Sequence, residues 1–136
     1  MSEYHYMIPA LPPSNNKYIG RNMRWEYQKI KKQWTVLVRA KCRPAPDKPL
    51  EHASVTLHYY FPTRGRRDPD NYSGKMILDG LVKAGIIADD SFDCIGLSIS
   101  ADYDKANPRT EITIIEEKRQ ENVQQNCFDG ACLQRP

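Results

Sequence analysis

The chain contains little that points to a membrane, a secretory route or a disulfide scaffold. No apolar run approaches the ~20 residues that a membrane-crossing helix requires. The start, Met1-Ser2-Glu3-Tyr4-His5-Tyr6, has neither the basic opening nor the apolar stretch of a signal peptide, so a cytoplasmic protein is expected. Only 4 cysteines occur in 136 residues, and a disulfide framework is normally denser than that. Cys127 and Cys132 lie in a polar tail with no histidine nearby, so free thiols are a simpler reading than a zinc site. The 3 histidines, His5, His52 and His58, show no ligand spacing. Internal repeats are absent.

What is present suits one domain with one core: 40% hydrophobic and 27% charged residues. The net charge of +3 hides an uneven distribution. Between Lys17 and Pro49 stand Lys17, Arg21, Arg24, Lys29, Lys31, Lys32, Arg39, Lys41, Arg43 and Lys48, opposed only by Glu26 and Asp47. Between Ile87 and Glu117 the balance reverses. A basic segment of this kind is either a phosphate-contacting surface, since cations displace counterions condensed on DNA, or a solvated helix face.

Hydrophobic periodicity gives a coarse plan. Tyr4 to Ile8 reads as a first strand ahead of the loop Leu11-Pro12-Pro13-Ser14-Asn15-Asn16. Met23 to Lys41 reads as a helix, with Tyr27, Ile30, Trp34 and Leu37 on one face. Trp34 is read as a core residue, and Trp25 as core or a base-stacking wedge, with core favoured. Arg43-Pro44-Ala45-Pro46 ends the helix. Ala53, Val55, Leu57, Tyr59 and Phe61 alternate with polar positions as a strand buried on one face. Pro62 to Pro69 is a basic loop. A second helix is expected from Asp70 or Asn71 to Ala84, with Gly85 at its left-handed C-terminal position. Ile95 to Ala101 and Thr110 to Ile115 read as two further strands joined as a hairpin through the turn Asp104 to Pro108. The order β-α-β-α-β-β implies an α+β fold, a single domain with a mixed four-stranded sheet and helices packed on it. Residues 1–117 form the domain, and 118–136 are expected to be a loosely ordered polar tail.

The chemistry concentrates in Arg64-Gly65-Arg66-Arg67-Asp68-Pro69-Asp70-Asn71. Pro69 biases Asp68 toward extended backbone, and in an extended stretch side chains two apart project to the same side. Asp68 and Asp70 can then approach one point, where a cation relieves their repulsion. An oxygen-only pair suits Mg²⁺, which takes one or two protein carboxylates and keeps its other positions for water and phosphate. Asp70 or Asn71 can equally be a helix cap, and the two roles are compatible. A second acidic pair, Asp89-Asp90, precedes the third strand, whose entrance is expected near the exit of the second. One of the two can complete a three-carboxylate site or simply occupy a surface turn. Lys75 can stabilise charge on a phosphate or pair with Asp79 four residues on.

These pieces, in this order, resemble the RusA-type Holliday junction resolvases, or crossover junction endodeoxyribonucleases, which are frequent in bacteria and their prophages. The resemblance runs from Tyr4 to Glu117. It rests on Pro12-Pro13-Ser14-Asn15-Asn16 with Tyr18, on Arg66-Arg67-Asp68-Pro69-Asp70-Asn71, on Leu78-Asp79-Gly80-Leu81 with Lys83-Ala84-Gly85, and on Asp89-Asp90. It implies a homodimer that binds four-way DNA junctions and nicks them in pairs in recombination and repair. The reaction it implies depends on Mg²⁺, with Mn²⁺ as a substitute. Carried over by position, the metal ligands are Asp68, Asp70 and Asp90, and the catalytic lysine is Lys75.

One departure stands out. The family's lysine follows the second aspartate by four residues, whereas Lys75 follows Asp70 by five, with Ser73-Gly74 between. An added residue turns a helical position by ~100° unless a distortion, which Gly74 would tolerate, absorbs it. Arg64, Arg66, Arg67, Asn15, Asn16, Lys29 and Lys32 are the expected DNA contacts, positioning the backbone more than reading bases. Two other readings compete: a branched-DNA-binding module that does not cut, and an unrelated acidic enzyme acting on nucleotides.

Overall fold

A computed structural model describes residues 2–18 and 23–117. The tail at 118–136, with Cys127 and Cys132, lies outside the described residues. The strand β1 (Glu3–Ile8) leads to a one-turn 3-10 segment, Asn15–Tyr18, and then to helix α1 (Arg24–Lys41). Strand β2 (Ala53–Phe61) is followed by a second 3-10 turn, Pro69–Tyr72, and by helix α2 (Lys75–Lys83). Strands β3 (Ile95–Tyr103) and β4 (Arg109–Glu116) complete the chain order β-α-β-α-β-β. The α+β class and the mixed four-stranded sheet are as the sequence implies.

The strand order is β1-β4-β2-β3. β2 pairs with β3 in parallel, Ala53 facing Ile95 and Phe61 facing Tyr103. It pairs with β4 antiparallel, Val55 facing Ile114, and β4 pairs with β1 antiparallel. The expected hairpin between the last two strands is therefore wrong. Strand β2 sits between them because it is the strand whose alternate residues are all buried, and it takes the centre of the sheet. The turn after β3 carries the chain over β2 to its far side. There Arg109 pins the turn, reaching Asp104 at 2.8 Å and Glu111 at 2.8 Å, while its guanidinium lies over the Tyr60 ring. Strand β3 is consequently an edge. Ile95 is buried, but Leu97 is 40% exposed and Ala101 is exposed.

Both helices pack on one face of the sheet. Val55, Leu57, Tyr59, Ile112 and Ile114 from the strands meet Trp34 and Val38 of α1 and Ile77 and Leu81 of α2. Removal of this apolar surface from water is the main force holding the layers together. Gly80 allows the two helices to approach closely, since a Cβ there would stand 2.9 Å from Val38. The face of α1 is as expected for Trp34, but Trp25 is 81% exposed. Nine residues at 100° each turn Trp25 about half a revolution from Trp34, which is why it cannot share the core. Cys42 closes α1 ahead of Arg43-Pro44, and Gly85 follows α2 with φ 78.

Candidate active site

The acidic segment hangs from the C-terminal end of β2. Tyr59 is buried in the core and donates its hydroxyl to the carbonyl of Tyr72 at 2.8 Å. The Tyr72 ring meets Phe61 edge-on at 5.1 Å between centroids. The Arg67 guanidinium lies over the Phe61 ring, 4.3 Å from its centroid. Arg67 also donates to the carbonyls of Thr63 and Gly65 and to the Thr63 hydroxyl. Much of its donor capacity is thus spent on shaping its own loop. The sequence-level assignment of Arg67 to DNA overlooked this second role, which Phe61 at the end of an apolar strand hinted at.

Asp68 has φ −105 and ψ 139, extended as a residue before proline should be. Asp70, however, lies inside the 3-10 turn Pro69–Tyr72, so the extended-chain argument for Asp68 and Asp70 sharing a side does not apply. Neither carboxylate caps a helix through its side chain. Asp68 instead pairs with Arg66 at 3.3 Å, in a contact where Arg66 is 89% exposed. The loop carrying Asn15 closes on the acidic turn from the opposite side. Its side-chain amide donates to the Asp70 carbonyl at 3.0 Å and to the Ser73 hydroxyl at 3.1 Å. Asn16 remains an exposed side chain beside it.

Helix α2 begins later than expected, at Lys75 rather than at Asp70 or Asn71. Gly74 breaks the 3-10 turn from the helix by taking φ 81. A side chain there would be strained by that angle and would place a Cβ 2.2 Å from Leu57 Cδ1. The five-residue step from Asp70 to Lys75 thus runs through a 3-10 turn and a left-handed glycine, and Lys75 is the first residue of the helix. The Lys75 ammonium contacts Asp79 at 3.3 Å. The Asp79 carboxylate beside it, with a smaller contribution from Asp90, raises the Lys75 pKa above its usual value.

The placement of Asp90 differs from expectation. Because β2 and β3 are parallel, the start of β3 faces the start of β2, not its exit. Asp90 lines a groove with Leu78, Ser91, Phe92, Ile95 and Leu97. Asp68 lines a separate small cavity of about 70 Å³ with Tyr59, Phe61, Ile99 and Ala101. Among the described residues no three His, Cys, Asp or Glu side chains stand close enough together to hold a metal ion. The structure thus brings Asp90 within electrostatic reach of Lys75, and Asn15 onto the Asp70 segment, without drawing the three aspartates into one cage. The donor chemistry is nevertheless of the right kind for a hard cation: exposed or half-exposed carboxylates beside exposed arginine. Mg²⁺ needs only one or two such ligands from protein.

Lys29 and Lys32 are exposed on α1, and Arg64 lies over the Tyr103 ring at 4.2 Å. No described helix is long and apolar enough to cross a membrane.

The chain matches the family described as Endodeoxyribonuclease RusA over residues 9–115, which include the Asn15 loop, the acidic turn, Lys75 and Asp90. It belongs to the RusA endodeoxyribonuclease family. No curated protein sequence matches it. Membership of this family makes the chain a nuclease of DNA.

Proposed function

We propose that the protein is a Mg²⁺-dependent endonuclease that resolves four-way DNA junctions by paired nicks in recombination and repair, acting as a homodimer in the cytoplasm. The observation that supports this most is the coincidence of the family match with a surface-exposed acidic turn held from two sides. In this reading Asp68 and Asp70 would hold the cation, with Asp90 as the further carboxylate the family resemblance implies, and Mn²⁺ can replace Mg²⁺. When bound there, the ion would supply Lewis acidity and a water of lowered pKa.

The rest is the work of the chain itself. Lys75 places its ammonium against the non-bridging oxygens, where negative charge grows as the new bond forms. Arg64 and Arg66 hold the backbone on one flank, with Asn15 and Asn16 on the loop beside them. Lys29 and Lys32 on α1 extend that contact, and Arg67 keeps the arginine loop in shape while contributing its charge. Contacts of this kind bind DNA through its phosphates, so affinity falls steeply with salt while sequence preference stays modest.

The test is a labelled synthetic four-way junction incubated with the protein and Mg²⁺, beside a linear duplex of the same sequence. Symmetric nicks in the junction and an intact duplex are expected. Equal cutting of both, or none of either, contradicts the reading.

A further inference from the structure

Asp79 lies on the face of α2 that turns toward α1. Its side chain is only 16% exposed, yet it carries a charge. Two lysines reach it from different helices: Lys75 contacts Oδ1 at 3.3 Å, and Lys31 of α1 stands 3.5 Å from Oδ2. Oδ2 is buried and makes no hydrogen bond. A solvated pair at this helical spacing would contribute little and would need no explanation. A nearly buried carboxylate is different, because an apolar residue of similar volume commonly stabilises such a helix interface more. The cost of keeping Asp79 charged there asks for a use, and its partners indicate one.

Lys75 is the first residue of α2, directly after the left-handed Gly74. Its four-carbon stem would otherwise leave the ammonium free to sample many positions. One of its three N–H donors goes to Asp79. The side chain remains 57% exposed, so the other two donors can meet a phosphate without the pair opening. Lys31 is 28% exposed and adds a second cation to the same carboxylate.

We infer that Asp79 is a positioning residue: anchored from α1 by Lys31, it holds the Lys75 ammonium for the scissile phosphate. The inference rests on the nuclease reading above and adds to it a residue that touches neither metal nor DNA.

The experiment is a double-mutant cycle on the full chain with Asp79→Asn, Lys75→Ala and both together. It measures single-turnover cleavage of a four-way junction in Mg²⁺ and junction affinity in Ca²⁺. Asp79→Asn is expected to slow cleavage by about 10- to 100-fold, the scale of a misplaced catalytic group. Affinity should stay within about twofold. The double variant should be no slower than Lys75→Ala alone, because a residue acting only through Lys75 has nothing left to position.

Asp79→Glu, which keeps the charge, is expected to retain more activity than Asp79→Asn and serves if that variant does not fold. Wild-type cleavage with an undiminished Asp79→Asn rate would overturn the inference alone. So would losses that multiply in the double variant, or affinity that falls in step with rate. Absence of wild-type cleavage would instead remove the nuclease reading and this inference with it.

Discussion

Asn15 donates its side-chain amide to the main-chain carbonyl of Asp70 at 3.0 Å, across 55 residues of sequence. The loop that follows β1 is thereby tied to the turn that carries the carboxylates. The bond is exposed and neutral, so Asn15→Ala should lower stability by no more than ~1 kcal/mol. The same change should slow junction cleavage by about tenfold, since the Asp70 turn loses a fixed partner. Urea melts and cleavage rates on one preparation separate the two effects. An unchanged rate would make the tie purely structural.

Gly74 is the joint between the 3-10 turn that holds Asp70 and the helix that begins at Lys75. Gly74→Ala introduces a Cβ against Leu57 in a left-handed backbone. It should cost about 2 kcal/mol or more, summing backbone strain and core overpacking. Denaturant midpoints with an unchanged m-value would verify it. A neutral substitution would show that Gly74 does not hold this conformation in solution.

The alkaline limb of stability follows from the core. Burial pushes the Cys42 thiol from 9.0 up to about 12. Burial, with Cys42 and Tyr4 nearby, pushes Tyr6 from 10.0 up to about 12, and burial also raises Tyr59. The folded protein keeps these protons at a pH where the unfolded chain has begun to lose them. The unfolded state then binds fewer protons, so stability falls as pH rises from about 9 toward 12 and is unaffected by these groups below that window. The Cys42 contribution is at most ~1.4 kcal/mol per pH unit. Cys42→Ala should flatten the decline between pH 9 and 11 in urea melts, after its own constant cost from lost packing. An identical slope would contradict the assignment.

The sequence was most readable where one period dominated. Ala53 to Phe61 alternates without a break, and the structure returns that strand with the same bounds. Pairing was not readable, because strand order depends on which strand buries both neighbours. That is a property of the whole sheet, so the last two strands were mistaken for a hairpin. Trp25 was misplaced because aromatic character outweighed its helical phase. At the site, Pro69 correctly set Asp68 in extended backbone, but nothing local announced the 3-10 turn that holds Asp70. The distortion at Gly74 was legible from the extra residue alone. The tie from Asn15 to Asp70 and the cation pair on Asp79 join residues far apart in the chain, and only the packed structure brings them together.

Asp70→Asn removes one carboxylate of the acidic turn proposed to support metal-dependent cutting of branched DNA, and is compared with wild type on a labelled four-way junction across a Mg²⁺ titration, with junction affinity measured alongside. Cleavage is expected to fall by more than about a hundredfold, the usual scale for loss of an essential catalytic group, while the variant binds the junction at least as tightly as wild type. Cleavage by Asp70→Asn at the wild-type rate and the wild-type Mg²⁺ dependence would contradict it.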